Sequence, residues 1–378
     1  MDLQALQEWL TRTLQGLDMK LSQMDAAALA NGCAVLALCW LGAFVTSSKV
    51  RLAHWGVWYF LASADKKTRK PNDDKFDFAD ASLDRRTIIF IRHGESEWNY
   101  IFNKGFILLR PFRLLVGLVR EALMIFDSGS SLFYDSPLSA TGIKQAQDLL
   151  TFVTSQPPPS DTNAHRNLPA ASLDTSELLA IVRGERGKSV VVSSILRRAI
   201  STGLIGLAPR LLRDSTKAKV ELMTSLQEIS RNVDTLSLTP RQALPAVPSG
   251  EKTLRDVGSL IAHFYKERLS PKLNSGNKKL SQKAVHRQDD FIKWAFIEQS
   301  ADVIIVCGHS LWFREFFRSF LAKGTAHVAK EKKMVNCGIV AFDLYATNGA
   351  TKLRIDPSSV KSLYGGFEVA KGKAKKLA

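Results

Sequence analysis

Three short apolar segments are the clearest pattern along the chain, and each of them runs directly into polar residues. Thr87–Ile91, Val190–Val192 and Val303–Val306 are rich in β-branched side chains, which is typical of buried strands. Because parallel strands bring their carboxyl ends to the same edge of a sheet, we expect the polar residues that follow them to lie together. The pattern therefore predicts an open α/β sheet with a functional site at that edge. The polar segments are Arg92-His93-Gly94, Ser193-Ser194 and Cys307-Gly308-His309.

A second pattern, near the N-terminus, is a segment without charged residues from Ala26 to Ser48. It is long enough to cross a hydrocarbon layer, which takes roughly 20 apolar residues, so it predicts a membrane anchor. More acidic than basic side chains precede it, which is unlike a cleaved signal peptide. Lysine and arginine are denser after it, so the positive-inside rule predicts that the rest of the chain faces the cytosol. The alternative is a buried helix of the globular domain.

Changes of composition divide the remaining chain. Leu52–Ser63 is apolar but short for a second span, and the polar stretch Lys66–Asp84 is typical of a linker. Proline-rich Ser155–Ser160 and polar Leu273–Lys283 are predicted to be surface loops. The predicted organisation is an N-terminal segment 1–25, a transmembrane anchor 26–48, a juxtamembrane segment and linker 49–85, a main domain 86–350 with an insert 100–134, and a basic tail 351–378.

The insert contains a segment with amphipathic helical spacing. From Pro111, which suits the first turn of a helix, basic and small residues fall on one side and apolar residues on a broad opposite face. Three interpretations remain open for residues 106–126, namely contact with a membrane surface, packing into the domain core, and a lid over the site. The polar side holds Arg110, Arg113, Gly117, Arg120 and Glu121, and the apolar face holds Phe112, Leu115, Leu118, Val119, Ala122 and Phe126.

The chain is strongly basic, since 52 lysine and arginine residues against 36 acidic residues give a formal net charge of +16. Such a charge favours anionic partners, namely phosphorylated substrates, acidic membrane surfaces or nucleic acid. No nucleic-acid-binding motif accompanies the charge, so nucleic acid is the least favoured of the three. The four cysteines have the spacing of neither a zinc site nor a disulfide framework. We therefore predict no metal and no cofactor.

The residues after the first predicted strand suit phosphoryl transfer through histidine. That reaction needs an imidazole aimed at phosphorus, cations on the equatorial oxygens and an acid for the leaving oxygen. In the octapeptide RHGESEWN, His93 is the candidate nucleophile, Arg92 supplies charge and Asn99 can donate to a phosphoryl oxygen. Gly94 allows the backbone to approach the phosphate closely.

This octapeptide resembles the signature of phosphoglycerate mutases and their phosphatase relatives in the histidine phosphatase superfamily. Three later segments resemble further motifs of that family in the same order, namely SILRRAIST for S-x-L-x-R-A-x-x-T, LQE for L-x-E, and the CGHS segment for the second histidine. The resemblance implies that Arg198 binds phosphate while Arg197 points elsewhere. It also implies that Glu228 is the general acid and that His309 hydrogen-bonds the transferring phosphoryl group.

Two further features refine the resemblance. Asp135–Ala146 is similar to the family's D-x-P-L-T-x-x-G-x-x-Q-A stretch, which leads into its first long helix. Ser310 stands where the acid-phosphatase branch has an acidic aspartate, which leaves that role with Glu228 and favours the phosphoglycerate-mutase-like branch. Ser310 itself is a candidate phosphate ligand. The resemblance covers Arg86 to Leu344 and implies a three-layer αβα sandwich with a mostly parallel central sheet, preceded here by the membrane helix.

The leading functional hypothesis is a membrane-anchored phosphatase that hydrolyses phosphomonoesters, on a small molecule or a phosphoprotein, through a phosphohistidine intermediate. Classical mutases continue after the octapeptide into N-x-F-x-G-W, whereas this chain has Tyr100–Phe106 with the sequence YIFNKGF. A membrane anchor also suits a phosphatase better than a soluble glycolytic step. The alternatives are a phosphoglycerate-mutase-type phosphotransferase and a catalytically degenerate scaffold that binds phosphate.

Overall fold

The computed structural model describes residues 8, 11–13, 15, 26–65, 69, 76–80, 82–124, 127, 129–157, 169–170, 172–213, 219–252 and 258–368. These belong to two compact units, Met1–Leu52 and Ala53–Ala378. Most of the predicted segment 1–25 and the last ten residues of the predicted tail lie outside the described residues, as does Phe126.

The first unit contains helix α1, Ala26–Thr46. Its residues Ala28–Thr46 are long and apolar enough to cross a membrane, by length and composition, and none of that stretch is buried inside the protein. The alternative prediction of a buried core helix is therefore wrong. Ser47 separates α1 from helix α2, Ser48–Ala62, so the helix ends two residues before the predicted end of the anchor at Ser48.

An eight-stranded sheet forms the centre of the second unit. β1, Asp84–Arg92, lies between β5, Val303–Gly308, which is parallel to it, and β6, Ile339–Ala346, which is antiparallel. The strand order is β4-β3-β2-β5-β1-β6-β7, with β8 also paired to β6. The other strands are β2 Ser189–Ser194, β3 Val220–Met223, β4 Leu269–Ser270, β7 Leu353–Ile355 and β8 Lys361–Tyr364.

Helices of the second unit follow the strands in the alternation that an α/β fold requires. Short 3₁₀ turns lie at Ile107–Leu109, Thr224–Leu226, Val233–Thr235, Asn348–Ala350 and Pro357–Ser359, and a π-helical turn lies at Trp294–Glu298. The α-helices are α3 Glu97–Asn103, α4 Arg110–Leu123, α5 Ala140–Ser155, α6 Thr175–Val182, α7 Arg197–Gly206, α8 Ala208–Arg213, α9 Ser249–Lys252, α10 Gly258–Glu267, α11 Ala284–Lys293, α12 Ser310–Phe320 and α13 Val328–Glu331.

Alternation along β1 builds a separate core on each face of the sheet. Ile89 and Ile91 pack into one apolar cluster with residues of α5 and α7, and Ile88 and Phe90 pack into the other with residues of α11 and α12. On the second face the Phe90 ring stacks on Phe313 with the ring centroids 4.0 Å apart. Helices thus cover both faces, and the prediction of a three-layer αβα sandwich with a mostly parallel sheet is confirmed.

The three strands predicted from their apolar runs are adjacent in the sheet. β2 pairs with β5, β5 pairs with β1, and both pairings are parallel. Their carboxyl ends, at Ser194, Gly308 and Arg92, therefore meet at one edge as expected.

Three predicted boundaries differ from the structure. Residues 53–65 are part of the second unit, and Tyr59 and Asp65 are fully buried, so the predicted juxtamembrane part of 49–85 partly belongs to the core of that unit. Residues 353–364 contribute strands β7 and β8, so the tail begins later than 351. The loop Leu273–Lys283 is not a surface excursion, because it carries the buried side chains of Asn274 and Lys278. Asp65 and Lys278 contact each other across 213 residues, whereas β7 and β8 pair with the nearby strand β6.

Candidate active site

A cleft of about 520 Å³ opens at the carboxyl ends of β1, β2 and β5. Six of the seven predicted site residues line it, and these are Arg92, His93, Asn99, Arg198, Glu228 and Ser310. The seventh, His309, is fully buried behind His93, with the two imidazole centroids 5.0 Å apart. The structure therefore brings residues from four separate motifs into one site.

Backbone contacts fix the position and orientation of His93. Its Nδ1 lies 2.5 Å from the carbonyl oxygen of Gly94. A carbonyl can only accept, so Nδ1 carries the proton and Nε2 keeps its lone pair. The His93 amide N–H donates to the carbonyl of Gly308 over 3.0 Å, and the Asn336 side chain donates to the His93 carbonyl over 3.1 Å.

Burial and neighbouring guanidinium groups keep both histidines neutral. The pKa of His93 lies well below its ordinary value, because burial disfavours the imidazolium and the charges of Arg198 and Arg92 disfavour it further. Burial and the Arg198 charge likewise hold the pKa of His309 well below its ordinary value. A neutral His93 is the nucleophilic form, and the low pKa keeps it neutral on the acid side of neutrality.

His309 contacts the end of β2 through one of its ring nitrogens. Its Nε2 and the hydroxyl of Ser194 lie 2.8 Å apart, while its Nδ1 has no hydrogen-bond partner among the described residues. A neutral His309 can donate one hydrogen bond to a phosphoryl oxygen. A bound phosphoryl group would add negative charge, which favours the imidazolium and a second donor.

Adjacent arginines on α7 have different surroundings. Arg198 lines the cleft and is held from behind by Asp234, whose carbonyl accepts over 2.8 Å and whose carboxylate lies 3.2 Å away. Arg197 points away from the cleft and donates to the carbonyls of Asp135, Gly129 and Ser131. Arg198 therefore lies in the cleft and Arg197 outside it, and their different roles stay a prediction.

Arg92 is almost fully buried and meets a residue from the end of the described chain. One of its terminal nitrogens contacts the carbonyl of Met334 and lies 3.1 Å from the carboxylate of Glu368, which also lines the cleft. Burial lowers the pKa of Arg92, and Glu368 opposes that effect. Glu368 lies within the stretch that was predicted to be a tail.

Glu228 projects from the turn after β3 towards the start of α12. Its carboxylate accepts hydrogen bonds from the backbone N–H groups of Ile229 at 2.9 Å, Trp312 at 2.9 Å and Leu311 at 3.2 Å. These three bonds fix the position of the carboxylate, which lines the cleft.

A buried group of charges lies directly behind Glu228. We call Asp65, Lys278 and Arg287 the support cluster. The Lys278 ammonium donates to the Asp65 carboxylate at 2.7 Å and to the carbonyls of Glu228 at 2.6 Å and Ser230 at 2.9 Å. Arg287 contacts the other oxygen of Asp65. Burial opposes ionisation of Asp65, but the two cations outweigh it and lower its pKa.

Two glycines allow the nucleophile loop to cross the start of α5. A Cβ at Gly94 would lie 2.6 Å from the carbonyl oxygen of Gly142, and one at Gly142 would lie 1.9 Å from that of Glu95. Gly94 was predicted to allow approach to phosphate, and the structure adds this helix contact. The D-x-P-L segment is anchored by Asp135, which accepts from the backbone N–H of Arg197 over 2.8 Å.

Several residues of the cleft were not predicted. Asp234 and Glu368 pair with the two arginines, Asn336 fixes the His93 backbone, and Lys104 and Lys333 add positive charge to the wall. Isolated polar residues in loops give no sequence signal of such contacts. Lys104 was within reach of prediction, because it lies in the segment that replaces the mutase continuation.

Comparison with known proteins gives matches among solved structures alone. No family model matches the chain, and no curated protein matches it. The structure is similar to mycobacterial hydrolase 1, with a TM-score of 0.33 and 15% identity over 72% of this chain and 97% of that one. It is also similar to the alpha-ribazole phosphatase from Shigella flexneri, with a TM-score of 0.31 and 16% identity over 72% and 96% of the two chains.

A third similar structure is the phosphoserine phosphatase from Entamoeba histolytica in complex with 3-phosphoglyceric acid, with a TM-score of 0.30 and 16% identity over 68% of this chain and 90% of that one. At TM-scores of 0.30 to 0.33 these structures superpose only loosely on this chain. The resemblance to the family therefore depends on the motif residues of this chain. The four motifs occur in the family's order, they sit on the expected sheet, and they converge on one cleft. The motifs thus resemble those of the histidine phosphatase superfamily, and the helix-covered, mostly parallel sheet agrees with the phosphoglycerate-mutase-like fold that the resemblance implies.

Proposed function

We propose that the protein is a membrane-anchored phosphatase that hydrolyses phosphomonoesters through a phosphohistidine at His93. The observation that carries this proposal is a pair of buried histidines, with ring centroids 5.0 Å apart, beside two buried arginines at one open cleft. Such a site offers a nucleophile and several donors for the equatorial oxygens of a phosphoryl group.

The first half of the reaction transfers the phosphoryl group to the enzyme. The lone pair on His93 Nε2 forms the N–P bond as the ester P–O bond breaks, and the leaving oxygen takes a proton from Glu228. Arg92 and Arg198 stabilise the charge on the phosphoryl oxygens, with His309, Asn99 and Ser310 as further donors.

The second half releases phosphate. Glu228, now ionised, accepts a proton from a water molecule whose oxygen attacks phosphorus. The P–N bond breaks and its electron pair returns to Nε2, which restores the neutral imidazole. The three backbone N–H groups that bind its carboxylate hold Glu228 in position for this step.

The test is turnover of p-nitrophenyl phosphate by the full chain in detergent micelles, with and without His93→Ala. We expect the substitution to lower kcat/KM by more than about 10³-fold, because it removes the attacking atom. His286→Ala, on the exposed face of α11, is the matched control and should leave activity unchanged. Equal activity in His93→Ala and wild type would overturn the assignment.

Acid-sensitive labelling distinguishes the alternatives. A phosphatase gives a phosphohistidine on His93 that water removes, whereas a mutase-type phosphotransferase passes it to a second hydroxyl-bearing acceptor. A degenerate scaffold would bind inorganic phosphate through Arg92 and Arg198 without labelling of His93. Peptide mapping after rapid acid-free quenching shows whether His93 is labelled. The acceptor of the label, either water or an added alcohol, then separates a phosphatase from a phosphotransferase.

The proposed anchor is α1, and the proposed location of the second unit is the cytosol. Support for the anchor is the exposed apolar stretch Ala28–Thr46, and support for the orientation is the basic residues that follow it. Protease added to the cytosolic side of sealed membranes should digest the second unit. Full protection of that unit would overturn the orientation.

A further inference from the structure

The amphipathic helix α4 of the insert presents its polar side to the domain and its apolar face to solvent. Gly117 is buried, and a Cβ there would lie 3.0 Å from the Ile101 side chain. Arg113 donates to the carbonyl of Tyr100 over 2.8 Å, and Glu121 accepts from the backbone N–H of Leu132 over 2.7 Å. The inward stripe therefore consists of the residues that an ordinary surface helix exposes.

The outward face is a large apolar surface. Its major side chains are all more than half exposed, and they are Phe106, Leu108, Phe112, Leu115, Leu118 and Leu123. Soluble proteins rarely leave so many neighbouring apolar side chains in water, and such patches mark contacts with a partner or a membrane. Packing into the core of the domain, one interpretation of the insert, is wrong for this face. We call these six residues the insert face.

Charge and chain architecture favour a lipid surface as the occupant. Arg110 and Arg120 are exposed beside the insert face, and the whole chain has a net charge of +16. Basic residues that flank an apolar helix face suit the interface of an anionic bilayer. The same chain carries a helix long and apolar enough to span a membrane, which would keep this face near a bilayer.

We propose that the insert face docks on an anionic lipid bilayer and that the site acts on a phosphomonoester head group carried by a lipid. The second part rests on the proposed phosphatase activity. Asn103, Lys104 and Gly105 line the cleft, and Phe106, the first residue of the insert face, follows directly. Consecutive Cα atoms are about 3.8 Å apart, so the mouth of the cleft adjoins the docking surface.

A fluorescent probe measures docking without any need for turnover. An environment-sensitive dye is attached at Leu115→Cys in the full chain, with Cys33→Ser and Cys39→Ser to remove the other exposed thiols. The chain is placed in phosphatidylcholine nanodiscs with or without phosphatidylserine. We expect a blue shift and protection from iodide quenching that increase with phosphatidylserine. The matched control is the dye at Lys144→Cys, an exposed position on α5, which should stay accessible.

Two results would overturn docking on lipid. One is equal iodide quenching at positions 115 and 144 in every nanodisc. The other is protection at position 115 in detergent that rises with protein concentration, since that would place a second copy of the chain on the insert face.

Turnover tests the substrate class. Leu115→Glu with Leu118→Glu adds charge to the insert face but lies outside the cleft, so hydrolysis of p-nitrophenyl phosphate should be unchanged. Release of phosphate from phosphatidate in nanodiscs should fall by about tenfold or more, because charged side chains disfavour the interface. Equal phosphatidate turnover in variant and wild type would overturn the link between docking and substrate. If the wild type hydrolyses neither p-nitrophenyl phosphate nor phosphatidate, the proposed phosphatase function is wrong. The fluorescence result on docking would then still hold.

Discussion

Two groups of buried charges lie back to back in this domain and have opposite surroundings. In the support cluster, each of the three protons of the Lys278 ammonium has an acceptor within the protein, and the side chains of Asp65, Lys278 and Arg287 are completely buried. In the cleft, Arg92 and Arg198 are held from behind, but they border an open space of about 520 Å³. In addition to burial, Arg198 lowers the pKa of both histidines and Arg92 lowers that of His93. Buried charges that are paired within the protein contribute to the stability of the fold, whereas buried charges that line a cavity are available to bind an anionic ligand.

The largest expected effect is loss of stability when the support cluster is broken. Asp65→Ala leaves two cations buried without their carboxylate, so we expect the free energy of unfolding to fall by about 3–5 kcal/mol. Denaturant titration of the full chain in detergent, followed by tryptophan fluorescence, measures the change.

Asp148→Ala is the control for this change, because the Lys144–Asp148 pair is exposed and its loss should cost at most about 0.5 kcal/mol. If Asp65→Ala lowers the free energy of unfolding by less than about 1 kcal/mol, then Asp65 does not stabilise the two buried cations.

The next prediction concerns the adjacent arginines of α7, which we expect to affect different properties of the protein. Arg198→Ala should lower kcat/KM by about 10²–10³-fold, since it removes a charge from the transition state, with little change in the unfolding transition. Arg197→Ala should do the reverse, because its side chain holds the carbonyls of Gly129, Ser131 and Asp135. Steady-state kinetics and thermal unfolding of both variants test the pair. A comparable loss of stability in the two variants, with activity retained in Arg198→Ala, would contradict the division.

Glu251 is a buried carboxyl that forms no ion pair with any of the described residues, and it extends the comparison. Glu251 accepts from the Ser201 hydroxyl at 2.7 Å, and burial raises its pKa to about 7. The raised pKa favours the protonated carboxyl in the folded chain, so its contribution to stability is present below pH 4.5 and is lost as the pH rises through 7.

Glu251→Gln removes that titration. At pH 8 it should raise the free energy of unfolding by about 3 kcal/mol, with a much smaller change at pH 5. Denaturant titrations at the two pH values measure the difference, and Glu298→Gln, at an exposed position, serves as the control. Equal effects of Glu251→Gln at pH 5 and pH 8 would show that Glu251 does not titrate in this range.

Local sequence was sufficient for the strands and for the residues that they deliver. β-branched runs are buried because both faces of the central strands are covered, and the motif residues follow at fixed offsets. His93, Arg198 and His309 could therefore be assigned to one edge of the sheet. Glu228 was found from its motif and its order, although nothing local indicates its contacts with the start of α12.

Partners that are distant along the chain were beyond local reasoning. Asp65 meets Lys278 and Arg287 across more than 200 residues, so a polar loop and an apparent linker became parts of the core. Glu368 reaches Arg92 across a similar separation. A side chain gives no signal of a partner that only the folded sheet brings near it.

By itself, the sequence determined three central strands, the order of the motifs and the candidate nucleophile, because these depend on periodicity and on chemistry within a few residues. Only the tertiary structure decided which charges are compensated and which face the cleft. It also decided the orientation of α4, whose amphipathic pattern is the same whichever side meets the domain. Packing of Gly117 against Ile101 turns the polar side inward, and the apolar face is left for a partner.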